Sequence, residues 1–407
     1  TNPVCYAYTR AFLQAMSGQG RIRTGDKVYL AGDLRPSTGR ILAACIRAVT
    51  DSGQVPVYVG CLPSPAVACY AMLNNAASVM VTGSHIPDDR NGIKFNRPDG
   101  EILKSDEEAI RAQSVDLPTP FPVISEEDLP AIDDQARQFY VKRFTGFFAA
   151  DSLRAMRVGV YQHSGVARDL LVEILEALGA EVTPLARSEV FIPVDTEAIR
   201  EEDIKLGQEW AAEHGFDAIV STDGDADRPL IADETGQWLR GDIVGVLCAR
   251  YLGINQLVTP VSSNTVVDAC GWFDGVYRTR IGSPYVIEQM NQALAEGTGS
   301  VAGYEANGGF LLASGITLNG QSLAALPTRD AVLPMLAILA SARQQDCPVS
   351  QLVAALPPRY TASDRLKNFP TDMSRQKIAE LAASEAAIND LFGDLCGKLK
   401  STDETDG

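Results

Sequence analysis

A chain of three similar α/β domains in tandem, with mixed sheets and the start of a smaller fourth α+β domain, is the fold this sequence predicts. Three observations lead there. Its 407 residues suit two to four domains at about 100–200 residues each. Short apolar runs alternate with helical patterns along nearly the whole length, which implies parallel or mixed sheets covered on both faces. The alternation then restarts twice, near residues 156 and 257.

In the first cycle, 27–30, 55–59 and 78–81 read as strands and 39–51 as a helix. In the second, 157–161, 217–220 and 230–232 are strand-like, and 242–251 is helical. Residues 167–178 place Leu170, Leu171, Ile174, Leu175 and Leu178 on one helical face. The third cycle runs through strand 257–260, helix 285–295, strand 301–304 and helix 330–343. Residues 115–130, rich in proline and acid, form a connector. The expected domains are 1–148, 149–253 and 254–357, with 358–407 as a partial fourth. After Pro357 and Pro358 come a basic stretch, an alanine-rich helix and a polar end, too short for another domain of this style.

Hydrophobic residues make up 45% of the chain and charged residues 21%, the balance of a globular chain that buries several cores. No apolar run approaches the ~20 residues that span a bilayer, and no basic-then-apolar signal segment opens the sequence. The eight cysteines are scattered without a C-x-x-C pair, which reads as reduced thiols and a cytoplasmic setting. A net charge of −17 argues against a nucleic-acid partner, because phosphate backbones are gripped by clustered Lys and Arg. An anionic substrate must then be drawn in by a local basic pocket.

In open α/β sheets, ligands bind beyond the carboxyl ends of the strands. The most unusual sequence of each cycle falls there. The first is V-T-G-S-H-I-P at 81–87, followed by N-G-I-K at 91–94. It can present the Ser84 hydroxyl into a cleft, with His85 beside it, and return Lys94 to the same place as an acid or base. The second is D-G-D-A-D-R at 223–228. Asp223, Asp225 and Asp227 at alternate positions form a hard oxygen site suited to Mg²⁺, and their mutual repulsion calls for a cation. An EF-hand is the rival reading, since Glu234 falls at the twelfth position. Arg228 stands where that loop needs glycine, and a strand precedes it instead of a helix.

The third is G-Y-E-A-N-G-G at 303–309. Glu305 and Asn307 can pair with adjacent sugar hydroxyls, one accepting and the other able to donate and accept. A fourth, R-T-R-I-G-S-P-Y at 278–285, brings Arg280 and Ser283 to a strand end before a helix N-terminus, where a phosphate can be held. Each loop alone has a plainer reading: a turn serine, an acidic turn, a β-turn, surface arginines.

Together, in this order and spacing, the loops resemble those of the α-D-phosphohexomutases, with their T-A-S-H-N-P, D-G-D-x-D-R and G-E-x-S-G patterns. The resemblance runs from about residue 27 to the end. It implies that Ser84 carries a phosphoryl group and that Asp223, Asp225 and Asp227 hold Mg²⁺ with a phosphoserine oxygen. By the same resemblance Arg228 steadies that phosphate, Lys94 is the general acid or base, and Glu305 and Asn307 grip the sugar. It also implies a hexose 1,6-bisphosphate as intermediate and activator, with small hexose phosphates as partners; a monomer or homodimer is expected, with neither nucleic acid nor membrane. Gly83, Ile86 and Asn307 depart from the common alanine, asparagine and serine. The E-A-N-G form is similar to acetylglucosamine-phosphate mutases, so the sugar stays open; mannose is the first expectation, with glucose and glucosamine phosphates as alternatives. The family's opening G-T-S-G-x-R-G segment and its R-x-S-G-x-x-P phosphate loop are expected to lie outside this sequence, with residues 402–407 as the first strand of the domain carrying that loop. Two rivals stand beside this reading: a metal-dependent phosphatase or phosphodiesterase, and an inert sugar-phosphate-binding protein.

Overall fold

The computed structural model describes residues 1–297, 299–361 and 369–393. The first repeat opens with α1 (Asn2–Gly18), which buries Tyr6, Phe12, Leu13 and Met16. It continues through β1 (Lys27–Gly32), α2 (Thr38–Asp51), β2 (Val55–Cys61), α3 (Ser64–Leu73), β3 (Ala77–Val81), β4 (Ile93–Arg97), β5 (Gly100–Glu101), α4 (Lys104–Arg111) and α5 (Gln135–Thr145). The second holds β6 (Arg157–His163), α6 (Arg168–Ala177), β7 (Glu181–Arg187), α7 (Glu201–His214), β8 (Ala218–Thr222), β9 (Pro229–Ala232) and α8 (Gly241–Tyr251). The third holds β10 (Gln256–Pro260), α9 (Val266–Ala269), β11 (Gly275–Thr279), α10 (Ser283–Glu296), β12 (Val301–Tyr304) and β13 (Phe310–Leu312). A hairpin of β14 (Ile316–Leu318) and β15 (Gln321–Leu323), then β16 (Leu326–Asp330), α11 (Val332–Gln345) and α12 (Val349–Ala354), complete it.

The three main sheets share one topology. Their strand orders are β2-β1-β3-β4-β5, β7-β6-β8-β9 and β11-β10-β12-β13-β16. In each, the first three strands in sequence are parallel and the next is antiparallel. The central strands are buried nearly end to end, as expected of sheets packed on both faces. One face of every sheet contributes to a continuous apolar core that runs from Tyr29 and Met80 through Val158 and Val220 to Leu257 and Phe310. The opposite faces have smaller cores of their own. A buried bond across the repeats, Tyr140 Oη to Asp330 Oδ1 at 2.7 Å, fixes α5 to the end of β16.

The mixed-sheet tandem architecture agrees with the sequence. Among the elements that did not stand out there are α1, α3, β7 and α7. Residues 330–343 also divide, because Asp330 ends a strand before the helix begins at Val332. Beyond Pro358 the described residues form α13 (Thr371–Ala383) and α14 (Glu385–Phe392). The strand expected at 402–407 lies outside the described residues.

Candidate active site

The three loops singled out from sequence occupy one place in the repeat. Each joins the third strand of its sheet to the antiparallel strand beside it: β3 to β4 around Ser84, β8 to β9 around Asp223, and β12 to β13 around Glu305. Packing the repeats side by side turns these corners toward one another.

Ser84 has φ +51°, in the left-handed region that costs a non-glycine residue about 1–2 kcal/mol. Several bonds hold it there. Its N–H donates to Thr82 Oγ1 at 2.8 Å, and its carbonyl accepts from Arg35 Nη2 at 2.7 Å. Buried Asp33 anchors both partners, accepting from Arg35 Nε at 2.9 Å and Thr82 Oγ1 at 2.8 Å. Arg35 lies so close that a Cβ on Gly83 would sit 2.8 Å from its Cζ, so a side chain there would push the guanidinium aside. The Ser84 hydroxyl donates to Asp223 Oδ2 at 2.6 Å. Gly224 permits the approach, since a Cβ there would lie 2.7 Å from the Ser84 carbonyl oxygen. His85 Nδ1 accepts from Arg228 Nη1 at 2.9 Å and stands 3.4 Å from Ser84 Oγ.

Asp223, Asp225 and Asp227 are buried, and one oxygen from each falls within 4.8 Å of the others. Part of the repulsion foreseen from sequence is met by side chains. Lys94 Nζ donates to Asp225 Oδ2 and Asp227 Oδ2, both at 2.6 Å. Arg228 flanks Asp227 at 3.7 Å and Asp223 at 4.0 Å, and Ser64 Oγ donates to Asp225. Burial and the charges of Asp225 and Asp227 push Asp223 well above the usual carboxylate range. Burial acts in the same sense on Asp227, but Arg329, Lys94 and Arg228 outweigh it and hold that carboxyl low. Burial disfavours the Lys94 ammonium, yet Asp225 and Asp227 raise its pKa. Two buried oxygens, Asp225 Oδ1 and Asp227 Oδ1, find no hydrogen-bond donor. Orphaned carboxylate oxygens in a cluster of three fit a hard divalent cation.

Glu305 and Asn307 are buried at the third corner. Asn307 Oδ1 accepts from the Gly309 N–H at 3.0 Å. Arg329, at the end of β16, was not foreseen. Its Nη1 donates to Glu305 Oε2 at 2.9 Å, and its Nη2 lies 2.9 Å from Asp227 Oδ2. One guanidinium thus joins the aspartate loop to the Glu305 loop. Ser283 reaches the same region, lining a cavity with Lys94, Asp227 and Arg329, but its hydroxyl is engaged by Glu101 Oε2 at 2.7 Å. Arg280 is half-buried, its guanidinium carbon 5.8 Å from the Tyr285 ring centre. Neighbouring Arg278 turns to Asp268 and to the carbonyls of Pro260 and Ser263.

The corners therefore converge on a buried carboxylate cluster, a half-buried lysine, a hydroxyl and two arginines, an arrangement able to move a phosphoryl group. Arg35, Asp33, Ser64 and Arg329 were missed. Arg35 carried a signal: D-L-R-P-S-T directly follows the first strand, at the sheet end where ligands bind.

Models of phosphoglucomutase/phosphomannomutase match the chain in three consecutive pieces: α/β/α domain I over residues 1–117, domain II over 138–236 and domain III over 240–360. A phosphomannomutase of Sinorhizobium fredii is 46% identical over 98% of this chain and 84% of its own length. A phosphomannomutase of Salmonella muenchen is 44% identical over 93% and 77%, and a phosphoglucosamine mutase of Paracoccus denitrificans is 30% identical over 93% and 84%. Among solved structures, a phosphoglucomutase/phosphomannomutase family protein of Burkholderia thailandensis shares the fold with TM-score 0.73 and 21% identity, covering 94% of this chain and 81% of that one. The open form of parafusin from Paramecium shares it with TM-score 0.64 and 15% identity, over 95% and 77%. The chain belongs to the α-D-phosphohexomutase family. Its class is that of a phosphosugar mutase, an isomerase working by phosphoryl transfer.

Proposed function

We propose that this chain interconverts hexose 6-phosphate and hexose 1-phosphate, with mannose as the preferred sugar, through a phosphoryl group carried on Ser84. The contact of Ser84 Oγ with Asp223 Oδ2 at 2.6 Å, beside two orphaned carboxylate oxygens, carries the reading. The two most similar relatives described above, both phosphomannomutases, favour mannose.

In the first half-reaction the bond between Ser84 Oγ and phosphorus breaks as a sugar hydroxyl oxygen bonds to that phosphorus. The hexose 1,6-bisphosphate turns end for end, and the second half-reaction returns its other phosphoryl group to Ser84. Asp223, Asp225 and Asp227 would hold Mg²⁺, which supplies positive charge to the phosphoryl oxygens when bound. Arg228 steadies those oxygens, and His85, bonded to Arg228, orders the loop. One proton passes in net from the attacking hydroxyl to Ser84 Oγ, with Lys94 as general acid or base; its raised pKa keeps it protonated at neutral pH, ready to protonate Ser84 Oγ as the hydroxyl loses its proton, worth about 10²–10⁴-fold in rate. Glu305 and Asn307 bind the sugar, and Arg280 and Ser283 assist at the phosphate remote from Ser84. The domain limits 1–148, 149–253, 254–357 and 358–407, a cytoplasmic location and a monomer or homodimer belong to the same reading. Among the described residues no helix is long and apolar enough to cross a membrane.

The test is a panel of hexose 1-phosphates incubated with Mg²⁺ and a trace of the matching 1,6-bisphosphate. Formation of hexose 6-phosphate, fastest from mannose 1-phosphate, is expected. Free phosphate released as fast as substrate disappears would make the chain a phosphatase. Binding without isomerisation would make it a sugar-phosphate binder.

A further inference from the structure

The sugar-binding groups foreseen from sequence are partly engaged within the protein. Glu305 gives Oε2 to Arg329 at 2.9 Å, and the Asn307 side-chain oxygen is taken by Gly309. A hexose offers several adjacent hydroxyls, each needing an acceptor once water is displaced. A further acceptor facing the substrate space would serve those that Glu305 does not reach.

A cleft of about 910 Å³ opens beside the serine loop, with His85, Glu197, Arg200, Arg240, Gly241 and Ala306 among its walls. His85 belongs to the Ser84 loop and Ala306 stands between Glu305 and Asn307, so this cleft borders both the phosphoryl-transfer corner and the sugar corner. One wall comes from the segment between β7 and α7, and its bonds determine which side chain faces inward. Phe191 packs over Arg35, 4.1 Å from the guanidinium carbon to the ring centre, and Val194 is fully buried. Asp195 Oδ1 accepts from the N–H groups of Glu197 and Ala198 at 3.0 and 3.2 Å. Thr196 Oγ1 donates to the Asn307 carbonyl at 2.9 Å. With its neighbours tied down, Glu197 keeps an exposed side chain on the cleft wall.

We propose that Glu197 is a substrate-positioning residue whose carboxylate accepts hydrogen bonds from hydroxyls of the bound hexose phosphate and helps set which hexose is preferred. This rests on the mutase reading above for the identity of the ligand. The bond from Thr196 to Asn307 ties the wall to the sugar loop, so Glu197 and Glu305 are held on neighbouring segments. Mannose and glucose differ only in the direction of one hydroxyl, at C2, so a carboxylate on one wall of the cleft near C2 would distinguish them. Its surroundings agree: partial burial raises the Glu197 carboxyl above the usual range, Arg228 and Arg240 pull it down, and Asp195 and Glu305 push it up.

The test compares the full chain with Glu197→Ala and Glu197→Gln by calorimetric binding of mannose 6-phosphate and glucose 6-phosphate, and by mutase kinetics with the corresponding 1-phosphates. The alanine variant is expected to bind mannose 6-phosphate about tenfold more weakly, the value of one hydrogen bond to a charged group. Its loss should fall more on KM than on kcat and change the mannose-to-glucose ratio of kcat/KM, with part of the affinity recovered in Glu197→Gln. Unchanged affinity for both sugar phosphates in a folded Glu197→Ala protein overturns the assignment. So does an equal loss for a sugar phosphate and for inorganic phosphate, which would place the effect on the phosphate. Because binding is read separately from turnover, absence of mutase activity in the unsubstituted chain would refute the function proposed above without deciding the role of Glu197.

Discussion

Ser84 donates its hydroxyl to Asp223 at 2.6 Å although 139 positions separate them in the chain. The bond joins two repeats through the same strand-to-strand corner in each, so tandem repetition of one fold has brought a nucleophile and a carboxylate cluster face to face.

Ser84→Ala and Asp225→Asn should each reduce mutase turnover by at least about 10³-fold, because each removes a group acting at the phosphoryl centre. Thermal unfolding of the Ser84→Ala protein should stay within a few degrees of the parent, since the loop is held by Thr82, Arg35 and Asp33. Intact mass after exposure to hexose 1,6-bisphosphate should show one added phosphoryl group in the parent and none in Ser84→Ala. Normal turnover by Ser84→Ala would remove the serine from the mechanism.

Chelation should abolish activity and added Mg²⁺ restore it. A ligand that binds only the native state raises its unfolding temperature, so saturating Mg²⁺ should shift the midpoint up by a few degrees. Asp225→Asn should lose that shift. An equal shift in the variant would place the ion elsewhere.

Arg329→Met leaves Asp227 and Glu305 without the guanidinium that joins them. Removing one partner of a buried ion pair costs about 3–5 kcal/mol, and urea unfolding should register a loss of that order. Arg329→Lys should retain part of the stability, being unable to span both carboxylates with one planar fork. Equal stability of the methionine variant and the parent would show that the bridge is dispensable.

His163 lies buried at the end of β6, with Nε2 2.9 Å from the Thr222 carbonyl and Nδ1 unpartnered. Burial pushes its pKa down from the ordinary 6.5 to about 4. The folded chain thus holds the ring neutral where the unfolded chain would protonate it. This contribution is full above pH 6.5 and is lost as pH falls from there toward 4, with a slope of up to about 1.4 kcal/mol per pH unit. His163→Gln, which can still donate to Thr222, should flatten the stability–pH curve across that window. An unchanged slope would show that other groups dominate it.

The site loops were legible because each packs several reactive side chains into a few residues at a strand end. The repeat was legible from its buried central strands. What escaped notice did so for physical reasons. Strand β7 carries Pro184 and mostly partly or fully exposed side chains, which a sheet tolerates because β7 is an edge strand. Helix α3 is apolar nearly all round, so it shows no helical stripe. Arg329 lies next to the end of a strand with nothing local to mark it; its meaning comes from Glu305 and Asp227, 24 and 102 residues away. Glu197 likewise gains a direction only once Thr196 is tied to Asn307.

Lys94, Arg228 and Arg329 set three fixed positive charges against the three aspartates. Much of the acidic knot's charge is offset by covalently attached counter-ions, one of which Glu305 shares, so folding need not wait for metal to arrive from solution. A chain assembled in metal-poor surroundings would emerge already shaped, and filling the site becomes an exchange of partners around Asp225 and Asp227 rather than a condition for reaching the native state.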